Sequence, residues 1–125
     1  MKKTITFALI VAAAVSAATA QARSRVRFPR GASSVTVAGT IRGYLYRDHV
    51  VKGSAGQTLD VKIDGNSKCV FTVFNPDNSN LDMGTDREFS SELPVSGDYE
   101  VRVLIMPSLA RRGTVANYKL TISIK

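Results

Sequence analysis

Apolar and polar residues alternate with a period of two through much of the chain after residue 23, and this pattern constrains the fold more than any other feature. In the final run every second residue is large and apolar: Tyr118, Leu120, Ile122 and Ile124. Such alternation is typical of an extended strand with one buried and one solvated face. Helical periodicity is weak over the same region, so the sequence predicts β-structure.

Turn residues rich in Gly, Pro, Asn and Asp separate eight such runs. We predict strands near residues 24–28, 34–41, 43–51, 57–63, 68–75, 87–93, 98–106 and 117–125. Short strands without obvious crossover helices favour antiparallel pairing, and a chain of 125 residues has room for one domain. We therefore predict an all-β fold, an antiparallel two-sheet β-sandwich of about eight strands, with a small barrel as the alternative closure.

The first 22 residues have the pattern of a secretory signal peptide. Lys2 and Lys3 precede an apolar run over residues 5–15, and small residues follow it. Cleavage is expected after Ala20 or Ala22, which leaves a single β-sandwich domain over residues 23–125. The apolar run is shorter than the roughly 20 residues that a membrane anchor needs. We therefore expect an exported protein without a membrane anchor, located in the periplasm.

The composition argues against several functional classes. The chain carries a formal charge of +7, which falls to +5 without the two lysines of the signal peptide. A basic domain can bind nucleic acid, but export and the absence of an aromatic-basic recognition motif argue against it. We interpret the arginines near the mature N-terminus as solvated. One cysteine and one histidine are too few ligands for a structural zinc site.

Residues with potential catalytic chemistry are sparse. His49 follows Asp48, but no G-x-S-x-G motif accompanies them, and we expect a partly exposed strand histidine. Asp77, Asp82 and Asp86 lie in a polar loop without the spacing of a calcium-binding loop. Cys69 lies in an apolar run and is expected to be a small buried residue. We therefore predict no enzymatic activity, no cofactor and no metal site.

Two segments instead suggest a binding surface. Residues 42–47 place Tyr44 directly after Gly43, with an arginine at each end of the segment, and residues 106–113 combine apolar residues with Arg111 and Arg112. A guanidinium is well suited to pair with a carboxylate through two parallel hydrogen bonds. A solvated pair of arginines at a turn is the alternative interpretation of residues 111–112.

Several sequence blocks match one known family in order. They are the segments 28–34, 39–46, 56–57, 94–104 and 110–111, followed by the closing run 118–125. On these blocks the mature chain resembles the bacterial periplasmic inhibitors of goose-type (g-type) lysozyme. The segment Ser96-Gly97-Asp98-Tyr99 is also similar to the S-G-x-Y motif of the related inhibitors of invertebrate-type (i-type) lysozyme.

The resemblance implies a β-sandwich, monomeric or weakly dimeric, that inserts loops into the substrate cleft of a lysozyme. The g-type enzyme is the expected partner and the i-type enzyme a possible one. The family's enzyme-contacting positions fall on Tyr44 and Arg111, with Ser96 and Tyr99 as the motif residues. Ser108 and Arg112 complete the expected lysozyme-binding set. Pro107 stands where family members carry an arginine, which is a departure from the pattern.

Strand alternation adds an expectation for Tyr99 that is independent of the family. Tyr99 shares its phase with Val101 and Val103, so its ring should point into the core and its hydroxyl should support the adjacent turn. A second functional class stays open at this stage. The chain also resembles, more loosely, the pre-peptidase C-terminal modules of secreted enzymes, which implies a small exported carbohydrate-binding or structural module.

Overall fold

The computed structural model describes residues 23–65, 68–81 and 87–125, and the predicted signal peptide lies outside them. The elements, in chain order, are β1 (Arg23–Arg25), β2 (Ser34–Arg42), β3 (Arg47–Gly53), β4 (Thr58–Gly65), β5 (Cys69–Phe74), β6 (Glu88–Glu92), β7 (Gly97–Ile105), α1 (Pro107–Ala110) and β8 (Val115–Ile124). The eight strands confirm the all-β prediction. Within the described ranges, no helix is long and apolar enough to span a membrane.

The strands form two four-stranded sheets, in the orders β1-β3-β7-β5 and β2-β8-β4-β6. Each strand lies in the opposite sheet from the one before it, so the chain crosses the sandwich at every connection. All strand pairs are antiparallel except β1 with β3, which is parallel. The prediction of antiparallel pairing is therefore wrong for β1 and β3, at this edge of the sheet. A parallel pair is possible there because the chain crosses to β2 between the two strands, and no hairpin fixes their direction.

Two exposed N-terminal arginines form ion pairs with carboxylates of strand β7 in the same sheet. Arg25 donates two hydrogen bonds to the Asp98 carboxylate, at 3.0 and 2.8 Å. This pairing holds the pKa of Asp98 below its usual value. The Arg23 guanidinium lies 3.1 Å from the Glu100 carboxylate. Both arginine side chains stay exposed to solvent, as predicted, and their ion pairs are additional contacts between β1 and its sheet.

The apolar faces of both sheets meet in one core. Its largest fully buried side chains are Tyr99, Phe71, Leu59, Leu93, Leu120 and Ile122. Cys69 is also fully buried and has no disulfide partner, as predicted. Burial raises the pKa of its thiol, which keeps it protonated and unreactive.

His49 is buried, which corrects the prediction of a partly exposed side chain. Only 4% of the residue is accessible, and its Nε2 shares a 2.8 Å hydrogen bond with the Tyr118 hydroxyl on the facing sheet. Gly39 makes room for this pair, since a Cβ there would come within 2.5 to 2.8 Å of the Tyr118 phenol. Burial lowers the pKa of His49 to about 4 and raises that of Tyr118 to about 12.

The strand register separates the connecting loops into two groups. Arg42 pairs with Val115 and Arg47 with Val103 at one end of the sandwich. In the sheet that contains β3 and β7, Gly53 pairs with Gly97 at the opposite end. We call these the Tyr44 end and the Ser96 end, after the residue that each exposes. The nine residues of β7 run between them, a distance of about 27 Å.

Candidate functional site

The connection between β2 and β3 presents Tyr44 to solvent at the Tyr44 end. Gly43 has a φ of 57°, which turns the chain out of β2 and delays the start of β3 to Arg47, four residues later than predicted. The Gly43 N–H donates to the Thr114 carbonyl at 2.8 Å, and the Leu45 N–H donates to the Arg42 carbonyl at 3.1 Å. Tyr44 is 69% exposed and Leu45 is 51% exposed.

The segment between β7 and β8 is an ordered helical turn where the sequence indicated only a loop. Pro107 occupies the first turn of α1, where its missing N–H costs no hydrogen bond. The Leu109 and Ala110 N–H groups both donate to the Met106 carbonyl at 2.9 Å, and Ala110 is buried. These contacts leave Ser108, Arg111 and Arg112 exposed on a fixed backbone.

The two loops meet, so Tyr44, Ser108, Arg111 and Arg112 lie at the same end of the molecule. The Gly43–Thr114 hydrogen bond joins them, and a Cβ on Gly43 would lie only 3.6 Å from the Ala110 carbonyl oxygen. Among the described residues five large apolar side chains are exposed, and four of them lie here: Tyr44, Leu45, Met106 and Val115. Exposed Arg42 adds a third cation to this surface. An apolar surface with guanidinium groups is suited to bind a protein partner.

Sequence patterns missed a cluster around Arg102, on the face of β7 that points away from the core. Arg102 donates two hydrogen bonds to the Asp48 carboxylate, at 2.8 and 3.1 Å. Its guanidinium carbon lies 4.0 Å from the centre of the Tyr46 ring and 4.9 Å from that of the Phe74 ring. Alternation indicated only that Arg102 points away from the core. Its partners come from two other chain segments, residues 46–48 and Phe74, which no local pattern connects to Arg102.

Ser96 and Tyr99 lie at the opposite end from Tyr44. The Ser96 Oγ accepts a hydrogen bond from the Ala55 N–H at 2.9 Å, which ties two turns together. The Tyr99 hydroxyl donates to the Val95 carbonyl at 2.6 Å, and the residue is fully buried. The predicted inward direction of the Tyr99 ring is therefore confirmed. In the free protein the Tyr99 side chain is buried beneath this turn, and its expected contact with a lysozyme stays a prediction.

The acidic loop is only partly described. Asp77 accepts hydrogen bonds from the backbone N–H and the hydroxyl of Ser79, which hold the pKa of its carboxyl below the usual value. Asp82 and Asp86 lie outside the described residues. In the parts of the chain that the structure describes, no group of three His, Cys, Asp or Glu residues is arranged to hold a metal ion.

No protein-family model matches the chain. Among curated proteins, the inhibitor of g-type lysozyme from Escherichia coli K12 is 32% identical over 106 residues, which cover 80% of this chain and 79% of that protein. The chain belongs to the family of g-type lysozyme inhibitors. This agrees with the family resemblance and with the prediction of a non-enzymatic protein.

Solved structures of g-type lysozyme inhibitors share the fold. The crystal structure of Aeromonas hydrophila PliG, a periplasmic inhibitor of g-type lysozyme, superposes with a TM-score of 0.76 at 33% identity, covering 83% of this chain and 96% of that one. A pre-peptidase C-terminal domain of a Bacillus anthracis collagenase reaches a TM-score of 0.51 at 10% identity, covering 82% of this chain and 94% of that domain. The latter likeness extends to the fold alone.

Proposed function

We propose that this protein is a periplasmic inhibitor of g-type lysozyme that inserts the loops of its Tyr44 end into the substrate cleft of the enzyme. The observation that carries the proposal is the convergence of two hydrogen-bonded loops, which place Tyr44, Arg111 and Arg112 on one exposed surface. Family membership supports the partner. Inhibition of a cell-wall hydrolase in the periplasm would protect the peptidoglycan.

The chemistry of the partner explains why arginines are suited to this surface. Glycoside hydrolases generally cleave their substrate with carboxyl groups held in a cleft. A guanidinium that enters the cleft can form paired hydrogen bonds with such a carboxylate. Tyr44 adds a large and stiff contact area with one polar tip. Occupancy of the cleft and pairing of its carboxylates would both oppose substrate binding, so the inhibition is competitive.

The order of both loops in the free protein favours tight binding. The Tyr44 loop is fixed by two backbone hydrogen bonds, and α1 by the successive bonds of its turn. Loops that already have their bound conformation lose less conformational entropy on association. Ser108 lies on the exposed side of α1 and can contribute a polar contact at the rim of the interface. Pro107 adds rigidity to the first turn of α1.

We assign Ser96 and Tyr99 a supporting role instead of a direct contact. Both hold turns at the Ser96 end, where they are separated from Tyr44 by the length of β7. The alternative function, an exported module of the pre-peptidase type, is supported only at the level of the fold.

Titration of the purified mature protein against g-type, i-type and chicken-type lysozymes on cell-wall substrate tests the proposal. We expect stoichiometric, competitive loss of g-type activity. Arg111→Ala should weaken inhibition, whereas Arg30→Ala, at an exposed turn remote from the Tyr44 end, serves as the matched control. Undiminished g-type activity at excess protein would contradict the proposed function. Equal effects of the two substitutions would contradict the assigned surface.

A further inference from the structure

The loop that presents Tyr44 has its second attachment at Tyr46. On the N-terminal side Gly43 is held by its hydrogen bond to Thr114. Tyr44 and Leu45 are mainly solvent-exposed, so their own packing does little to fix the loop. Tyr46 ends the loop, and its ring lies 4.0 Å from the guanidinium carbon of Arg102. In addition to the two backbone hydrogen bonds of the loop, its conformation therefore depends on what holds Arg102.

Arg102 is itself held on three sides. The Asp48 carboxylate, which is 9% exposed, receives two hydrogen bonds from it. The centre of the Phe74 ring, on the neighbouring strand β5, lies 4.9 Å from the guanidinium carbon. These contacts restrict a long side chain that would otherwise have many rotamers. A guanidinium held in this way gives a fixed platform for the Tyr46 ring.

We propose that Arg102 is a positioning residue for lysozyme inhibition, which holds Tyr46 and through it keeps Tyr44 in the conformation that docks. The proposal rests on the proposed function, since it assumes that Tyr44 enters the lysozyme cleft. It assigns Arg102 no contact with the enzyme. When only a fraction of the free protein has a competent loop, the apparent affinity falls by that fraction. Weakening the contact between Tyr46 and Arg102 should therefore weaken inhibition without removing any group that touches the enzyme.

A double-mutant cycle between Tyr46 and Arg102 tests this coupling. Tyr46→Leu removes the ring and keeps apolar bulk, and Arg102→Lys removes the planar group but leaves a cation beside the buried Asp48 carboxylate. We expect each substitution to raise the inhibition constant about three- to tenfold, the range of a partly desolvated cation–π contact. The double substitution should be no worse than the poorer single one, because both break the same contact.

Amide hydrogen exchange of the free protein provides a readout that does not need lysozyme. Both single substitutions should accelerate exchange at residues 43–46, with little change at the Ser96 end. Strictly additive losses, or unchanged inhibition by Arg102→Lys, would overturn the proposal. Tyr44→Ala separates this result from failure of the proposed function. If Tyr44→Ala inhibits normally, the docking surface is wrongly assigned even where exchange shows that Arg102 orders the loop.

Discussion

Arg111 ends the helical turn with an exposed side chain, and this makes it the most direct single-residue test of the docking surface. Arg111→Ala should leave the melting temperature nearly unchanged, because the side chain is solvated in the free protein. Loss of an interface anchor costs about 2 kcal/mol or more, which is roughly a thirtyfold rise in the inhibition constant. Inhibition assays and thermal melts of the same preparation measure both. A melting temperature that falls together with inhibition would identify Arg111 as structural.

His49 makes folding stability depend on pH in a defined window. Its pKa is about 4 in the folded protein, compared with an ordinary value of 6.5. Burial and the nearby Arg47 lower the pKa, whereas the Asp48 carboxylate acts in the opposite direction. The unfolded chain therefore binds the proton more readily, and stability is complete above pH 6.5. It decreases as the pH falls from 6.5 through 4, by about 3 kcal/mol in total.

Chemical denaturation between pH 4 and 7 checks this prediction, with His49→Gln as the variant that removes the titration. The pKa values of Asp77 and Asp98 are lowered from 3.8. Any folding stability that these carboxylates contribute is therefore lost only below about pH 4, outside this window. The variant should show a flatter pH profile than the parent. Equal slopes for both proteins would mean that another group governs the acid response.

A substitution at Tyr99 distinguishes two roles of its hydroxyl, support of the adjacent turn and direct contact with the lysozyme. Tyr99→Phe removes only the hydroxyl that donates to the Val95 carbonyl, and we expect a loss of about 1 kcal/mol of folding stability. Inhibition should be retained, because Val95 and Ser96 lie at the opposite end from Tyr44. Denaturation curves and inhibition assays on the variant measure the two effects. Parent-like stability with poor inhibition would assign the hydroxyl to the lysozyme interface.

At the scale of elements, the two loops of the Tyr44 end are joined through Gly43. Gly43→Ala places a side chain in the left-handed region and close to the Ala110 carbonyl, at a cost of about 1 kcal/mol. It should also weaken inhibition, since a backbone shift that relieves the strain at this φ moves the loop that presents Tyr44. Gly31→Ala is the control, because Gly31 has a φ of 79° and nothing within 4 Å of the added Cβ. Both variants should lose stability, but only Gly43→Ala should inhibit poorly.

Alternation along the strands was enough to predict the elements but not their partners. The inward direction of Tyr99 followed directly from its phase within β7. Burial of His49 did not, because it depends on Tyr118, which lies 69 residues away, and on the space left at Gly39. The four residues of α1 are too few for a helical period to be recognised. The sequence thus predicted the individual residues of the candidate site. Only the strand register shows that these residues lie at two opposite ends of the sandwich.

At the scale of the whole molecule, the sandwich separates a binding end from a supporting end. The strictly alternating strand order brings the β2–β3 and β7–β8 connections to the Tyr44 end, whereas the β3–β4 and β6–β7 connections lie at the Ser96 end. A single lysozyme docked at one end would leave the other end, about 27 Å away along β7, in solvent. The position of the bound enzyme is therefore a property that a footprint can measure.

Amide hydrogen exchange of the complex with g-type lysozyme should show protection over residues 43–46 and 106–114. Residues 53–57 and 94–97 should exchange as in the free protein, because they belong to the Ser96 end. The same measurement on Arg111→Ala, at concentrations that restore binding, should retain the footprint with weaker protection. Protection confined to residues 94–97 would transfer the inhibitory role to the Ser96 end. Protection across the outer face of a sheet would instead favour a binding module of the alternative class.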